Sequence, residues 1–341
     1  MEESTCRAWV TGYSEKQVKP IDFSLMDSSS PTDASYHADV IRHLLEDAKL
    51  ADLRFLMKWG LDDVPDFIDS RTVVFHIGDE RYQSPAWYKR AFAVFKTGGR
   101  RPERVKTILG RPMGFVWREL TRRGFCTAVH LRRRLSGKSV GRAVLDGVGE
   151  LPLGYFAQYE PALLPVDQRP TDVAFAGKLS VSPRQLGIKP SGWVRARMTQ
   201  ALHQSQSHQP DLRVELISSA TPTGQKLNAR QYTDFLSRAK ISLCPQGNFD
   251  ETFRMIESAR AGCVIISDAL ATRWYTQQAG VIVLRDWNEL GAMLRDLKAN
   301  PSRMDDLSRA SRRWYEQSLA PIQVARHIAH ELGERRTAFT R

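Results

Sequence analysis

The order of apolar and polar positions along the chain predicts alternating helices and strands. Residues 37–59 carry apolar side chains near helical spacing, which predicts an amphipathic helix broken near Asp52. Residues 72–77 form a compact β-branched and aromatic run, which predicts a strand, and residues 84–95 again show helical spacing. The preceding residues, 1–35, are polar and rich in turn formers, so we expect an irregular lead-in.

A second alternating series begins at Asp172. Its helices are expected to begin near Gly192, Asn228, Glu251 and Arg273, and closing helices are expected over 287–299 and 303–336. The expected strands are short apolar runs between turn signals, at 172–176, 213–217, 241–244, 264–267 and 281–284.

Two such series predict an α/β protein with two Rossmann-like lobes, each built on a parallel sheet. The first lobe is expected over 36–160 and the second over 171–315, with a further C-terminal helix over 316–341. Three prolines between 155 and 170 mark the linker.

Residues 239–274 carry the densest chemical signal, because they predict a strand, a glycine-containing loop, a helix and another strand. Pro245 and Gly247 end the first strand, and Thr252 offers a cap for the helix. Asn248 in the loop is a candidate for bonding a base or a ribose oxygen, although a turn asparagine also serves its own backbone.

Arg254 and Glu257 lie three residues apart near the start of that helix. The positive helix end and Arg254 suit a diphosphate, while the carboxylate suits ribose hydroxyls. The same spacing is also typical of an ordinary surface ion pair. Lys178, just after the strand at 172–176, and Arg197, early in the next helix, are further candidates for the diphosphate.

The block LCPQGN, TFR, IESARAGCVIISD and Trp274 resembles the C-terminal signature of the exostosin-like glycosyltransferases. Weaker matches occur, in the family's order, at VVFHIGDERYQSPAWYKRAFAVFK, LPLGY and DVAFAG. Val264 and Ile265 stand where the family usually has a hydrophobic residue and proline. The resemblance implies the GT-B fold, with two lobes facing across a cleft and the last helix returning to the first lobe. It also implies that 36–160 binds the acceptor and 171–315 binds the nucleotide sugar.

The chemistry expected from this resemblance is an inverting, metal-independent glycosyl transfer from a nucleotide-diphosphate sugar, with a UDP-sugar preferred. The chain contains no D-x-D, the motif that holds a divalent ion in metal-dependent glycosyltransferases, and Glu257 is not part of an E-x7-E element of the retaining type. No cofactor is expected beyond the donor as co-substrate. An inverting displacement needs a base in the first lobe, for which Asp79 and Glu80 are ranked ahead of His76. The nucleotide-sugar residues are expected to be Gly247, Asn248, Thr252, Arg254, Glu257, Lys178 and Arg197.

The net charge of +12 is concentrated between residues 96 and 142, where fourteen Lys or Arg face two Glu. Aromatic and aliphatic residues such as Trp117 and Phe125 interleave with these cations. Three interpretations stay open: a peripheral contact with an anionic membrane, a surface for nucleic acid or another polyanion, and a solvated basic face.

We expect a cytoplasmic enzyme, with a peripheral contact at the inner face of the membrane as one option, because no signal peptide or 20-residue apolar run is visible. Four scattered cysteines predict neither a zinc site nor a disulfide framework. The expected partners are the nucleotide-sugar donor and a surface polysaccharide or glycolipid acceptor. The alternatives are a polyanion-binding protein and a catalytically inactive glycosyltransferase-like scaffold.

Overall fold

The computed structural model describes, with isolated positions between 116 and 135, residues 6–11, 18–23, 33–60, 66–78, 85–98, 147–156, 159–179, 190–218, 227–247 and 250–339. Most of the basic segment 96–142 therefore lies outside the described residues. The chain divides into two compact units. The first unit comprises residues 1–102, 124–156 and 319–341, and the second comprises residues 103–123 and 157–318.

The strands of the described residues are, in chain order, β1 Ala8–Thr11, β2 Lys19–Pro20, β3 Arg54–Trp59, β4 Thr72–Ile77, β5 Ala93–Thr97, β6 Gly149–Leu151, β7 Thr171–Gly177, β8 Val214–Ser218, β9 Ala239–Leu243, β10 Val264–Ser267 and β11 Val281–Val283. The α-helices are α1 Asp33–Leu45, α2 Pro190–His208, α3 Ala229–Ser237, α4 Phe253–Arg260, α5 Leu290–Ala299, α6 Pro301–Trp314 and α7 Pro321–Phe339.

The sheet of the first unit has the order β2-β1-β3-β4-β5-β6. All neighbouring strands are parallel except β1 and β2. The central strands are buried on both faces, which explains their almost continuous apolar sequences. The C-terminal helix α7 belongs to this unit and packs against α1, where the Tyr36 hydroxyl donates to the Leu319 carbonyl at 2.6 Å.

Several sequence predictions for the first unit are wrong. The helix predicted over 37–59 ends at Leu45, and its second half forms β3, because the apolar run between Asp52 and Gly60 is a short strand buried on both faces. The helix predicted over 84–95 is a 3-10 turn, Ala86–Lys89, followed by β5. The lead-in expected to be irregular contributes β1, which extends the sheet beside β3.

The sheet of the second unit has the order β11-β10-β9-β7-β8 and is parallel throughout. Alternate residues of β7 pack on opposite faces of this sheet. Val173 and Phe175 join a core with side chains of α2 and α5, whereas Ala174 and Ala176 join a core with side chains of α3. The predicted α/β class with two Rossmann-like lobes is thereby confirmed.

The predicted strands of the second unit lie within two residues of the observed ones at each end. Two helix predictions are wrong. The helix expected near Arg273 is a 3-10 turn, Trp274–Thr276, and the helix expected over 303–336 is two helices, α6 and α7. A π-helical turn, Tyr315–Leu319, separates them ahead of Pro321, which has no N–H to continue the earlier helix. None of the helices in the described part of the chain combines the length and hydropathy that crossing a bilayer requires.

Candidate active site

The loop that joins β9 to α4 is held by buried polar groups. The backbone N–H of Gln246 donates to Asp268 Oδ1 at 2.8 Å, and its side-chain amide donates to Asp250 Oδ1 at 3.2 Å. Gln246 and Asp268 are both buried. Because buried polar groups are costly to leave without partners, these bonds favour one conformation of the loop beneath the expected ligand.

A buried ion pair also holds the end of this loop that leads into α4. Arg273 donates to Glu251 at 3.3 Å and to the Tyr275 hydroxyl at 2.8 Å, and Tyr275 donates to Glu251 at 2.7 Å. Burial alone would lower the pKa of the Arg273 guanidinium, but the neighbouring Tyr275, Glu251 and Asp250 outweigh it and raise that pKa. Arg273 is therefore a structural cation that fixes the residues just before α4.

Helix α4 begins with the cap that the sequence predicts. Thr252 Oγ1 accepts from the backbone N–H of Met255 at 3.3 Å. A Cβ atom added at Gly247 would lie 3.4 Å from the Thr252 methyl group, which is an ordinary van der Waals contact. Thr252 thus shapes the helix start, and its hydroxyl oxygen already accepts from the backbone.

Arg254 reaches back from α4 to the carboxyl end of β7. Its Nε donates to the Ala176 carbonyl at 3.0 Å, Nη2 donates to the same oxygen, and the guanidinium lies 4.3 Å from the centre of the Phe175 ring. A Cβ atom at Gly177 would lie 2.6 Å from Nη2, so only glycine leaves room for this arrangement. The two bonds use two of the five N–H groups of the side chain, and the others can still bind an anion.

Arg195 of α2 is a cation that the sequence analysis missed. Its Nη1 donates to the Lys178 carbonyl at 3.1 Å, directly after β7, and its Nε is buried with no hydrogen-bond partner among the described residues. Burial, followed by repulsion from Arg254, lowers the pKa of Arg195 to about 10. Two guanidinium groups therefore share the carboxyl end of one strand, and guanidinium groups form strong, often bidentate hydrogen bonds with phosphate.

Arg197 and Lys178 do not take the predicted roles in this geometry. Arg197 makes a bidentate pair with Asp286, at 2.8 and 2.9 Å, and lies over the Trp193 ring. Lys178 contributes its backbone carbonyl to Arg195, whereas its own side chain is exposed. Helical position does not separate the two arginines, because Arg195 is three residues from the buried Met198 and Arg197 is three residues from the buried Val194.

Glu257 lies on α4 with only 6% of its surface exposed. The Tyr232 hydroxyl of α3 is its hydrogen-bond partner. The pKa of Tyr232 lies well above its usual value, mainly because the phenol is buried and secondly because the Glu257 carboxylate is close. Arg254 acts on the same phenol. Glu257 and Arg254 are thus brought together near Tyr232, with the carboxylate oriented by a second side chain.

His76 lies on β4 in the first unit and is completely buried. Its Nδ1 bonds the Tyr88 hydroxyl. Burial, and then the charges of Lys96 and Lys58, lower the pKa of His76 well below its usual value, against a smaller opposing effect of the Gly60 carbonyl. Such a histidine is neutral and weakly basic. Asp79, Glu80 and Asn248, the other predicted site residues, lie outside the described residues.

A cavity of about 710 Å³ lies at the opposite end of the second unit's sheet, where β7, β8 and β9 begin. Asp172 there accepts bonds from Arg213 at 3.1 Å and Lys240 at 2.8 Å, and Asp211 pairs with Lys298. Ligands of open α/β sheets bind at the carboxyl ends of the strands, so we do not assign this cavity to the reaction.

Residues 195–330 match the model of a family described as glycosyl transferase-like. This part of the chain is similar to a glycosyltransferase-like domain. The match begins at Arg195 and includes the loop, α4 and the Arg273 ion pair. It agrees with the predicted enzyme class, glycosyltransferase, whereas the exostosin-like assignment stays a prediction.

A comparison with curated proteins finds no match. Similar solved structures include AviGT4, a glycosyltransferase of avilamycin A biosynthesis, at 12% identity and a TM-score of 0.45, covering 90% of this chain and 91% of that chain. The pneumococcal O-GlcNAc transferase GtfA, solved with UDP and GlcNAc, is similar at 10% identity and a TM-score of 0.42, covering 79% of this chain. The match spans only 57% of GtfA. Anabaena Alr3699/HepE, solved with UDP, is similar at 9% identity and a TM-score of 0.40, covering 77% of this chain and 78% of that chain.

Proposed function

We propose that the protein transfers a sugar from a nucleotide-diphosphate donor, with a UDP-sugar preferred, to a hydroxyl group of a surface polysaccharide or glycolipid. The transfer inverts the anomeric centre and needs no metal ion. One observation carries the proposal: Arg195 and Arg254 bring two guanidinium groups to the carboxyl end of β7, and Glu257 lies one helical turn beyond Arg254.

Each part of the donor has a matching group in this arrangement. The guanidinium groups bind the diphosphate, and the N-terminal end of α4 adds a favourable partial charge. Glu257, oriented by Tyr232, accepts hydrogen bonds from the ribose hydroxyls. The buried bonds of Gln246 and Arg273 fix the loop before the donor arrives, which reduces the ordering cost of binding.

In the reaction the acceptor oxygen attacks the anomeric carbon from the face opposite the diphosphate. The bond between that carbon and the diphosphate oxygen breaks, and its electron pair leaves with the diphosphate. Negative charge grows on the leaving group, where Arg195 and Arg254 stabilise it without a metal. The hydroxyl proton passes to a base of the first unit.

Asp79 and Glu80 are the proposed bases, since they follow β4 directly in the sequence. His76 is a weaker choice because it is buried and its pKa is lowered. The exostosin-like subgroup, a cytoplasmic location and a peripheral contact through residues 96–142 are further parts of the proposal, and they rest on the sequence alone.

A thermal-shift series with UDP, GDP, CMP and dTDP tests the donor site, because a nucleotide that binds the folded state raises the Tm by mass action. We expect UDP to give the largest shift. The Arg195→Met variant should lose most of that shift, whereas Lys178→Met, which changes an exposed side chain beside the same strand, should keep it. Equal shifts for all nucleotides, or none, would contradict the proposal.

A further inference from the structure

Three neighbouring strands of the first unit end in the same short pattern, a basic residue followed by any residue and a glycine. The triplets are Lys58-Trp59-Gly60 at the end of β3, His76-Ile77-Gly78 at the end of β4, and Lys96-Thr97-Gly98 at the end of β5, and only the glycine of each lies beyond the strand. The glycines have φ angles of 73°, 152° and 76°, which other residues adopt only with strain. Each strand thus turns away immediately after its basic residue.

The strand register places the three basic residues side by side. Lys58 is the neighbour of His76, and His76 is the neighbour of Lys96. We call this set the basic row. Because side chains alternate along a strand, the basic row lies on the same face as the residues two positions earlier. Those residues, Leu56, Val74 and Val94, belong to an apolar cluster with Trp87 and Tyr88.

The basic row is buried, with 2% of Lys58, none of His76 and 2% of Lys96 exposed. Two lysine side chains on either side of β4, both shielded from water, need negative charge nearby. Glu150 of β6, in register with Lys96, is one such group. Both lysines make further contacts within the protein, so the inference does not depend on their being unpartnered.

Two side-chain groups of the basic row and its neighbour make no hydrogen bond of good geometry among the described residues. His76 Nε2 is buried and makes no hydrogen bond of good geometry among the described residues. If the Tyr88 hydroxyl donates to Nδ1, then Nε2 carries the proton of the neutral ring and is a donor. Thr11, the register neighbour of Lys58, also has a buried hydroxyl without a hydrogen-bond partner among the described residues. These groups suit an incoming oxygen atom.

We propose that the basic row binds an oxyanion, a phosphate or carboxylate group of the sugar acceptor. The carboxyl ends of parallel strands are where ligands of such sheets bind. Lys58 and Lys96 supply the charge, and His76 Nε2 and Thr11 supply hydrogen bonds. The acceptor is therefore an anionic molecule, either phosphorylated or containing an acidic sugar. This inference rests on the proposed glycosyl transfer for the identity of the ligand, but the anion site itself can be tested alone.

The test measures the Tm against inorganic phosphate and, separately, glucuronate, at constant ionic strength set with chloride. Saturating UDP is present throughout, so that the arginines of the second unit do not contribute a signal. We expect a saturable rise in Tm, with phosphate ahead if the acceptor is phosphorylated and glucuronate ahead if it carries a carboxylate. Lys58→Met and Lys96→Met should each weaken the apparent Kd at least tenfold. The exposed Lys89→Met is the matched control and should behave as the wild type.

Methionine fills the volume of the lysine stem, so the variants should fold. The inference is wrong if the basic row is only an internal ion-pair network. Three results together would show this: Lys96→Met lowers the Tm, adding Glu150→Gln to that variant restores it, and no anion stabilises the wild type. An anion response that both lysine variants retain also overturns it. The UDP-induced shift, measured in the same proteins, reports on the donor site separately, so loss of that shift counts against the proposed function and not against the anion site.

Discussion

Arg195 and Arg254 approach the end of the same strand from different helices, Arg195 through the Lys178 carbonyl and Arg254 through the Ala176 carbonyl. Burial and the charge of Arg254 lower the pKa of Arg195 to about 10. Both effects oppose the charged form, so the free protein holds this cation at a cost in stability. A bound diphosphate would remove that cost, which is why we propose the pair as a preorganised anion site.

The first prediction compares two arginines two residues apart on α2. Arg195→Met should weaken UDP binding about tenfold to a hundredfold, since a hydrogen bond to a charged group contributes about 1.5–3 kcal/mol. Arg197→Met should leave the UDP Kd unchanged and lower the Tm, because Arg197 pairs with Asp286. Calorimetric titration with UDP checks both. Equal losses of affinity would show that the geometry does not distinguish the two side chains.

Glu257 supports the second prediction. Glu257→Gln keeps the shape of the side chain and removes its charge, so UDP should bind more weakly by about 1.5 kcal/mol or more. Tyr232→Phe removes only the hydroxyl that orients the carboxylate, and its effect should be smaller. 2′-Deoxy-UDP tests the ribose contact directly. The wild type should bind it less tightly than it binds UDP, whereas Glu257→Gln should bind 2′-deoxy-UDP and UDP with about equal affinity. A preference for UDP that survives in Glu257→Gln would place the ribose elsewhere.

The strand, the loop and the helix that carry the candidate donor site could be predicted from the sequence, for a physical reason. A strand, a glycine loop and a capped helix have local signals, and Arg254 and Glu257 therefore come together in the structure near Tyr232. The sequence did not indicate Arg195, because both arginines follow the same strand and only the packing of α2 decides which one faces its end. The Arg273 ion pair was also missed, since burial of an arginine depends on partners that are distant in sequence.

The fold too could be predicted from the sequence only where an element has its own local signals. In the second unit each strand is bounded by turn residues, and the predicted strands match the observed ones closely. In the first unit the apolar run 53–57 and the run 93–95 fit helical spacing by count, yet both are strands buried in the centre of the sheet. Periodicity alone does not distinguish a buried strand from a buried helix over so few residues.

The third prediction concerns Arg254. Arg254→Lys retains the charge but loses the planar guanidinium that bonds Ala176 and stacks on Phe175. Turnover at saturating donor should fall, because charge on the leaving diphosphate is greatest in the transition state. Wild-type turnover should also persist in EDTA. An activity that disappears in EDTA and returns with Mg²⁺ or Mn²⁺ would contradict the metal-free mechanism.

The last prediction follows from the buried histidine of the first unit. The pKa of His76 is lowered by burial and by Lys96 and Lys58, so below about pH 6.5, the usual pKa of histidine, the unfolded chain binds one proton more than the folded chain. Stability contributed by the neutral ring is therefore complete above about pH 6.5 and is lost as the pH falls. Urea unfolding should show a loss approaching about 1.4 kcal/mol per pH unit from this residue. His76→Gln should unfold at lower urea at pH 7.5 but show a shallower decline toward pH 5 than the wild type. An unchanged slope in His76→Gln would mean that the pKa of the ring is the same in the folded and unfolded protein.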